Sequence, residues 1–111
     1  MLSRLGRVDD AQAHFAAAVR LNPSSIPARF NLGYALFGLR RFAEAVEQYA
    51  AVVRLRPDFA EAHNNLGNTL LQLGRLDEAR AQYEETLRLK PDFAEARDNL
   101  DRLEVLRERG R

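Results

Sequence analysis

Arg54–Leu66 reads RLRPDFAEAHNNL, and the later stretch Arg88–Leu100 reads RLKPDFAEARDNL. Pro57 and Pro91 hold the same place in the two copies, and Pro23 precedes Pro57 by the same interval that separates Pro57 from Pro91. A fixed period of about 34 residues is typical of stacked-repeat architectures, in which each unit packs on its neighbours. The period therefore predicts a chain of similar units that presents a continuous binding surface, without naming what it binds.

Each period contains two segments in which apolar residues recur at helical spacing. They are Ala28–Leu39 and Phe42–Leu55 in one period, and Ala60–Leu73 and Leu76–Leu89 in the next. No segment alternates with a period of two, and no Asn-Gly or Asp-Gly pair suggests a hairpin. We predict an all-α fold.

Residues that commonly end and begin helices stand between these segments. Gly6 and Gly74 follow a leucine at equivalent places and are predicted to be left-handed helix C-caps. The predicted side-chain N-caps are Ser24 or Ser25, Asp58 and Asp92. Gly33 and Gly67 interrupt helical patterns at the same phase, although glycine there costs about 1 kcal/mol relative to alanine. We interpret them as points where two helix backbones approach too closely for a Cβ.

These positions resemble the tetratricopeptide repeat (TPR) family, whose pattern is a large residue, Leu-Gly, a large residue, Ala, an aromatic, Ala and Pro. One period matches it with Leu32-Gly33, Leu36, Ala45, Tyr49, Val52 and Pro57. The next matches it with Leu66-Gly67, Leu70, Ala79, Tyr83, Thr86 and Pro91. Two departures are Arg40, which replaces a glycine, and Arg29 and His63, which stand where an aromatic is frequent. The resemblance implies an α-α superhelix, or TPR solenoid, of antiparallel helix pairs.

The repeat boundaries divide a single domain, residues 1–111, into four parts. Residues 26–59 and 60–93 are full repeats, and residues 1–25 are a partial repeat that is mainly its second helix. Residues 94–111 are predicted to be a C-terminal capping helix, with Asp101 in place of the glycine.

Composition and motifs argue against catalysis and against cofactor or metal binding. The chain has no cysteine, only two histidines (His14 and His63) and no glycine-rich phosphate loop. Its formal charge of +1 predicts no attraction to nucleic acid. No apolar run approaches the length of a membrane span, and none resembles a signal peptide. We therefore expect a non-enzymatic, cytoplasmic protein that binds neither membrane nor nucleic acid.

The family resemblance implies that the first helix of each repeat lines a concave groove that binds an extended peptide or partner segment. The implied groove residues are Phe30, Asn31, Tyr34, Phe37, Asn64, Asn65, Asn68, Leu71, Gln72 and Asn99. Asn31, Asn65 and Asn99 recur once per period, and amides carry both a donor and an acceptor for a peptide main chain. This asparagine ladder is similar to that of O-linked N-acetylglucosamine transferases.

Of three other interpretations, the first is disfavoured and the other two stay open. A clamp for chaperone tails is disfavoured, because Phe30, Tyr34 and Glu95 occupy the places of its basic and amide residues. The chain can instead self-associate into a homo-oligomer through an uncapped N-terminal helix. The residues expected at that contact are Leu2, Leu5, Phe15 and Val19. In the third interpretation, the chain is the targeting segment of a larger enzyme such as a glycosyltransferase.

Overall fold

The computed structural model describes residues 4–110, with side chains from Arg7 onward, and this part of the chain consists of helices joined by short loops. The helices are α1 (Arg4–Leu21), α2 (Ile26–Gly38), α3 (Phe42–Leu55), α4 (Ala60–Gln72), α5 (Leu76–Leu89) and α6 (Ala94–Arg109). The predicted all-α helical repeat fold is confirmed.

The chain forms two compact units, Met1–Pro57 (unit 1) and Asp58–Arg111 (unit 2). In unit 1, α2 packs against both α1 and α3; in unit 2, α5 packs against both α4 and α6. Loops of only a few residues join these neighbours, so consecutive helices in each unit run antiparallel.

The core of each unit is organised around a tyrosine that faces a glycine on the preceding helix. Tyr49 on α3 and Tyr83 on α5 are fully buried. A Cβ added to Gly33 would lie 3.0 Å from the Tyr49 ring, and one added to Gly67 would lie 2.7 Å from the Tyr83 ring. Both glycines are points of tight contact, but the prediction of two closely approaching backbones is wrong, because the neighbouring atoms belong to the tyrosine ring of the next helix. An added Cβ would press on that buried ring.

The loop before the second helix of each pair requires a left-handed residue. Gly74 follows the C-cap residue Leu73 and has φ +76°, which confirms the predicted left-handed conformation but not the C-cap assignment. Its equivalent Arg40 adopts φ 62° despite carrying a side chain. The prediction for Gly6 is wrong, because α1 begins at Arg4 and Gly6 lies inside it. No helix ends there in the described residues, so nothing demands the left-handed conformation.

The predicted N-caps have mixed outcomes. Ser25 precedes α2, and its hydroxyl accepts a hydrogen bond from the Ala28 N–H at 3.2 Å, as expected. The assignments of Asp58 and Asp92 are wrong, because Phe59 and Phe93 are the N-cap residues of α4 and α6. These phenylalanines make no side-chain cap hydrogen bond. Their carbonyls accept the first helical bonds, from His63 N–H and Arg97 N–H.

Candidate functional site

A cluster of polar side chains joins the three helices of unit 2. The Asn68 side-chain oxygen on α4 accepts hydrogen bonds from the Tyr83 hydroxyl at 2.7 Å and from the Asn99 amide at 2.9 Å. The Asn68 amide nitrogen lies 3.5 Å from a Glu95 carboxylate oxygen, a longer and weaker contact. Asn68 and Asn99, predicted as separate groove residues, therefore bind each other.

The Tyr83 hydroxyl fixes the orientation of this cluster. Burial raises the pKa of Tyr83 well above its ordinary value, and the nearby Glu95 carboxylate raises it further. The hydroxyl therefore stays protonated and donates to Asn68. Since the Asn68 oxygen must face Tyr83, its NH2 group points toward Glu95.

The two other asparagines of α4 differ in exposure. Asn64 is fully buried, and its amide makes no hydrogen bond to any residue that the structure describes. Asn65 is half-buried; its carbonyl accepts the Thr69 hydroxyl at 2.8 Å, but its side-chain amide has no partner in residues 7–110. Asn65 therefore keeps both a donor and an acceptor for a ligand, whereas Asn64 is covered by protein. Their groove assignments stay predictions.

In unit 1, two of the predicted groove residues are held by rings of α3. Phe30 makes an edge-to-face contact with Tyr49, with centroids 5.8 Å apart, and Phe37 makes one with Phe42 at 5.1 Å. Asn31 and Tyr34 instead project from α2 toward solvent, and Tyr34 is 70% exposed. The Asn31 amide makes no hydrogen bond within the described side chains, so it too is available to a ligand.

A mostly apolar cavity of about 250 Å³ lies between α1 and α2. Its lining residues are Arg7, Val8, Ala11, Phe15, Asn31, Tyr34, Ala35 and Gly38. It brings the predicted groove residues Asn31 and Tyr34 together with Phe15, which was predicted for self-association. Sequence reasoning missed Val8, although it lies three residues before Ala11 on the same helical face.

The sequence matches the family model described as tetratricopeptide repeat at residues 2–45 and 30–94. The chain belongs to the tetratricopeptide repeat family. Repeats of this family generally act as non-catalytic protein-interaction modules. No curated protein matches the sequence.

Solved TPR structures resemble the chain over most of its length. The first TPR of Spaghetti (RPAP3), bound to the HSP90 peptide SRMEEVD, matches with a TM-score of 0.87 and 27% sequence identity. The match covers 91% of this chain and 80% of the Spaghetti chain. MamA matches with a TM-score of 0.89 and 26% sequence identity, over 93% of this chain and 60% of the MamA chain. YrrB, described as a TPR protein with an unusual peptide-binding site, matches with a TM-score of 0.78 and 29% sequence identity. The match covers 84% of this chain and 48% of the YrrB chain. The chain thus spans about 60% of MamA and about half of YrrB.

Two departures from the TPR pattern have a structural explanation. Arg29 donates hydrogen bonds to the Pro23 carbonyl at 2.6 Å and to Gln48 at 3.0 Å. His63, at the equivalent place in unit 2, lies 2.8 Å from Gln82, which is the equivalent of Gln48. A side-chain hydrogen bond to the paired helix thus takes the place of the usual aromatic packing.

The remaining predicted residues differ in exposure. Leu71 is half-buried and Gln72 is exposed on α4, and Val19 is half-buried on α1. Leu2 and the Leu5 side chain lie outside the described residues. Within the described part, no three His, Asp or Glu side chains group as metal ligands do, and no helix has the length and apolarity needed to cross a membrane.

Proposed function

We propose that this TPR chain binds an extended peptide segment of a partner protein through the exposed faces of its first helices. The observation that carries the proposal is that the side-chain amides of Asn31 and Asn65 make no hydrogen bond among the described residues. The two residues occupy the same position in successive periods. Neither side chain is bonded to a residue that the structure describes, and both remain accessible. Each unit therefore presents one free donor and acceptor at the same position of its repeat.

An extended main chain is the ligand that suits such amides. Its N–H and C=O groups recur regularly, and one asparagine side chain can accept from the first and donate to the second. Asn99 has already donated one N–H to Asn68, so it contributes less than the other two rungs of the proposed ladder. In unit 1, the exposed Tyr34 ring next to Asn31 adds an apolar contact for a peptide side chain.

The Glu95 carboxylate beside Asn68 disfavours an acidic peptide tail. The relative bound to SRMEEVD shows that the TPR fold can hold such a ligand. Here Glu95 lies against the Asn68 amide in unit 2, and a negative group beside it would repel a peptide carboxylate. We therefore propose a neutral or basic peptide with apolar residues rather than an acidic C terminus.

The test is a peptide-array screen followed by fluorescence-polarisation titration of the best neutral or basic peptide. We expect the Asn31→Ala/Asn65→Ala double variant to bind roughly tenfold or more weakly, since each lost hydrogen bond costs about 1 kcal/mol. SRMEEVD, included as a probe, is expected not to bind.

The control variant is Glu47→Ala/Arg54→Ala, which changes two exposed residues on α3 without altering net charge. We expect it to bind as the unmodified chain does. If the asparagine variant and the control variant bind every array peptide with equal affinity, the asparagines do not bind the peptide and the proposal is wrong. Tight binding of SRMEEVD would overturn the ligand class.

A further inference from the structure

Three polar side chains of α6 form a line on the side of the helix that faces α4. Glu95, Asn99 and Arg102 follow one another at intervals of four and three residues, so they lie on one face of the helix. The Asn99 amide donates to the Asn68 side-chain oxygen of α4 at 2.9 Å, and the Glu95 carboxylate lies 3.5 Å from the Asn68 NH2 group. An acidic and a basic residue therefore stand on either side of the bonded asparagines.

Arg102 is exposed and has no carboxylate partner among the described residues. The ion pairs that the structure describes on α5 and α6 use other arginines: Arg75, Arg80, Arg88 and Arg107. Asp98 precedes Arg102 by one turn, but these two side chains form no ion pair in the described structure. Arg102 also lies in the middle of α6, where a cation gains little from the helix dipole. Neither ion pairing nor helix stabilisation therefore explains its charge.

Glu95 is exposed as well, and its contacts leave its charge largely available. It lies in the first turn of α6, where a carboxylate complements the helix dipole. Its contact with Asn68 is long and weak. Burial is the main cause of the raised pKa of Tyr83, while the Glu95 charge adds to the increase and the Arg102 charge opposes it. Both charged groups therefore lie close to the cluster of Asn68, Tyr83 and Asn99.

We propose that the peptide surface of unit 2 selects a neutral ligand segment with one basic and one acidic side chain, the basic one bound by Glu95 and the acidic one by Arg102. The inference rests on the proposed peptide function and adds the side chains that the ligand carries. Seven positions of helix separate the two charges by about 10 Å along its axis. An extended chain covers that distance in about three residues, so the two ligand charges stand two to four positions apart.

Both contacts form at an exposed surface, so each changes the affinity only modestly. A solvent-exposed ion pair strengthens binding by up to about fivefold, and salt weakens it. The hydrogen bonds of Asn65 to the ligand main chain supply most of the affinity. The charges of Glu95 and Arg102 determine which side chains are accepted, because a like charge at either position is repelled.

A double-mutant cycle between protein and ligand tests each contact separately. The probes are acetylated and amidated peptides of serine, valine and leucine that carry one Lys and one Glu, two, three or four positions apart and in both orders. The tightest binder is the parent peptide, and it is also made with Gln in place of its Lys, in place of its Glu, and in place of both. Isothermal titration calorimetry measures the affinity of each peptide for the unmodified chain and for the Glu95→Gln and Arg102→Gln variants.

Each protein variant should affect only the ligand charge that it contacts. We expect Glu95→Gln to weaken binding of the parent peptide about threefold and to leave the peptide without Lys unaffected. Arg102→Gln should weaken the parent peptide by a similar factor and leave the peptide without Glu unaffected. Both losses should shrink as salt is added. The control is Glu47→Gln/Arg54→Gln, which removes an exposed acid and an exposed base that are also seven positions apart, on α3, and it should change no affinity.

The outcomes separate this inference from the function on which it rests. If Asn65→Ala weakens the parent peptide while both charge variants bind every probe like the unmodified chain, only the charge selection is wrong. It is also wrong if the peptide with Gln at both places binds as tightly as the parent, or if no probe binds although a peptide from the array screen does. If no peptide binds at all, the proposed peptide function fails and this inference fails with it.

Discussion

The helix pair α2–α3 of unit 1 and the helix pair α4–α5 of unit 2 are equivalent in the repeat but carry different side chains at several positions. Where unit 2 has Asn68, bonded to Tyr83 and Asn99, unit 1 has Tyr34, which is 70% exposed. Where unit 2 turns its loop with Gly74, unit 1 uses Arg40 at φ 62°. Both units keep a glycine under a buried tyrosine.

The difference separates positions that maintain the fold from positions that are free to change. The glycine–tyrosine contact is tight in both helix pairs, so a residue with a side chain would have to displace a buried ring. Tyr34, the equivalent of Asn68 in the preceding period, touches solvent, so a tyrosine is tolerated there. In the proposed peptide surface its ring offers an apolar contact in place of an amide. Substitutions at equivalent positions of the two units should therefore change the free energy of unfolding by different amounts.

The largest difference is expected at the shared glycines. Gly67→Ala should lower the free energy of unfolding by about 2 kcal/mol, because the buried Tyr83 ring lies 2.7 Å from the new Cβ. Gly33→Ala should cost less, below about 1 kcal/mol, since its distance is 3.0 Å and alanine favours the helix. Urea unfolding of both variants measures this order. A larger cost at Gly33 would contradict it.

The hydroxyl of Tyr83 gives the next largest effect. Tyr83→Phe should lower the free energy of unfolding by about 1 kcal/mol, because the bond to Asn68 is lost. A double-mutant cycle with Asn68→Ala should show that the two changes are not additive. Tyr34→Phe, at an exposed ring, is the control and should change stability by less than about 0.5 kcal/mol. Additive effects at Tyr83 and Asn68 would mean that the bond contributes nothing.

A gain in stability is expected at the strained loop of unit 1. Arg40→Gly should raise the free energy of unfolding by about 1 kcal/mol, because a left-handed residue with a side chain is strained. Gly74→Ala should lower it by a similar amount, about 1 kcal/mol, with no clash involved, since no atom lies within 4 Å of an added Cβ. Thermal unfolding of both variants tests whether Arg40→Gly raises the stability and Gly74→Ala lowers it. Equal signs would show that the loop conformation is not the cause.

The smallest effect is expected at two exposed ion pairs shared by the units. Arg41 lies 2.7 Å from Glu44, and Arg75 lies 2.6 Å from Glu78. Hydrogen bonding to the arginine lowers the pKa of each glutamate in the folded chain. Each pair therefore adds stability above the glutamate's unfolded pKa, and this is lost as the pH falls through the lower folded pKa.

Melting temperatures measured between neutral pH and about pH 2 test this linkage. The Glu44→Gln/Glu78→Gln variant should be slightly less stable than the unmodified chain at neutral pH, and the difference should vanish in acid. Glu47→Gln, at an exposed site on α3, is the control. A difference that persists in acid would show that the carboxylate charges are not responsible.

The sequence predicted those features that depend on spacing along the chain. The helices, the left-handed Gly74 and the close contacts at Gly33 and Gly67 follow from a period that places equivalent residues in equivalent surroundings. The N-caps of α4 and α6 were misplaced by one residue, because Asp58 and Asp92 precede the observed caps Phe59 and Phe93 and helix ends are the least certain part of such a pattern.

The contents of the candidate sites were harder to foresee. Asn68 meets Tyr83 and Asn99 across 15 and 31 residues of chain, and no local pattern pairs them. The burial of Asn64 depends equally on tertiary packing, because polarity alone favours exposure. The predicted asparagine ladder therefore separates into the free amides of Asn31 and Asn65 and the paired amide of Asn99.

The most direct test of the account follows the side-chain amides themselves. In a ¹⁵N-labelled chain titrated with the best array peptide, we predict that the NH2 resonances of Asn31 and Asn65 shift with the same saturation curve. Those of Asn99, which is already bonded to Asn68, should move least. If the peptide saturates the chain while the Asn31 and Asn65 side-chain resonances stay in place, peptide binding does not use the repeated amides and the central claim is wrong.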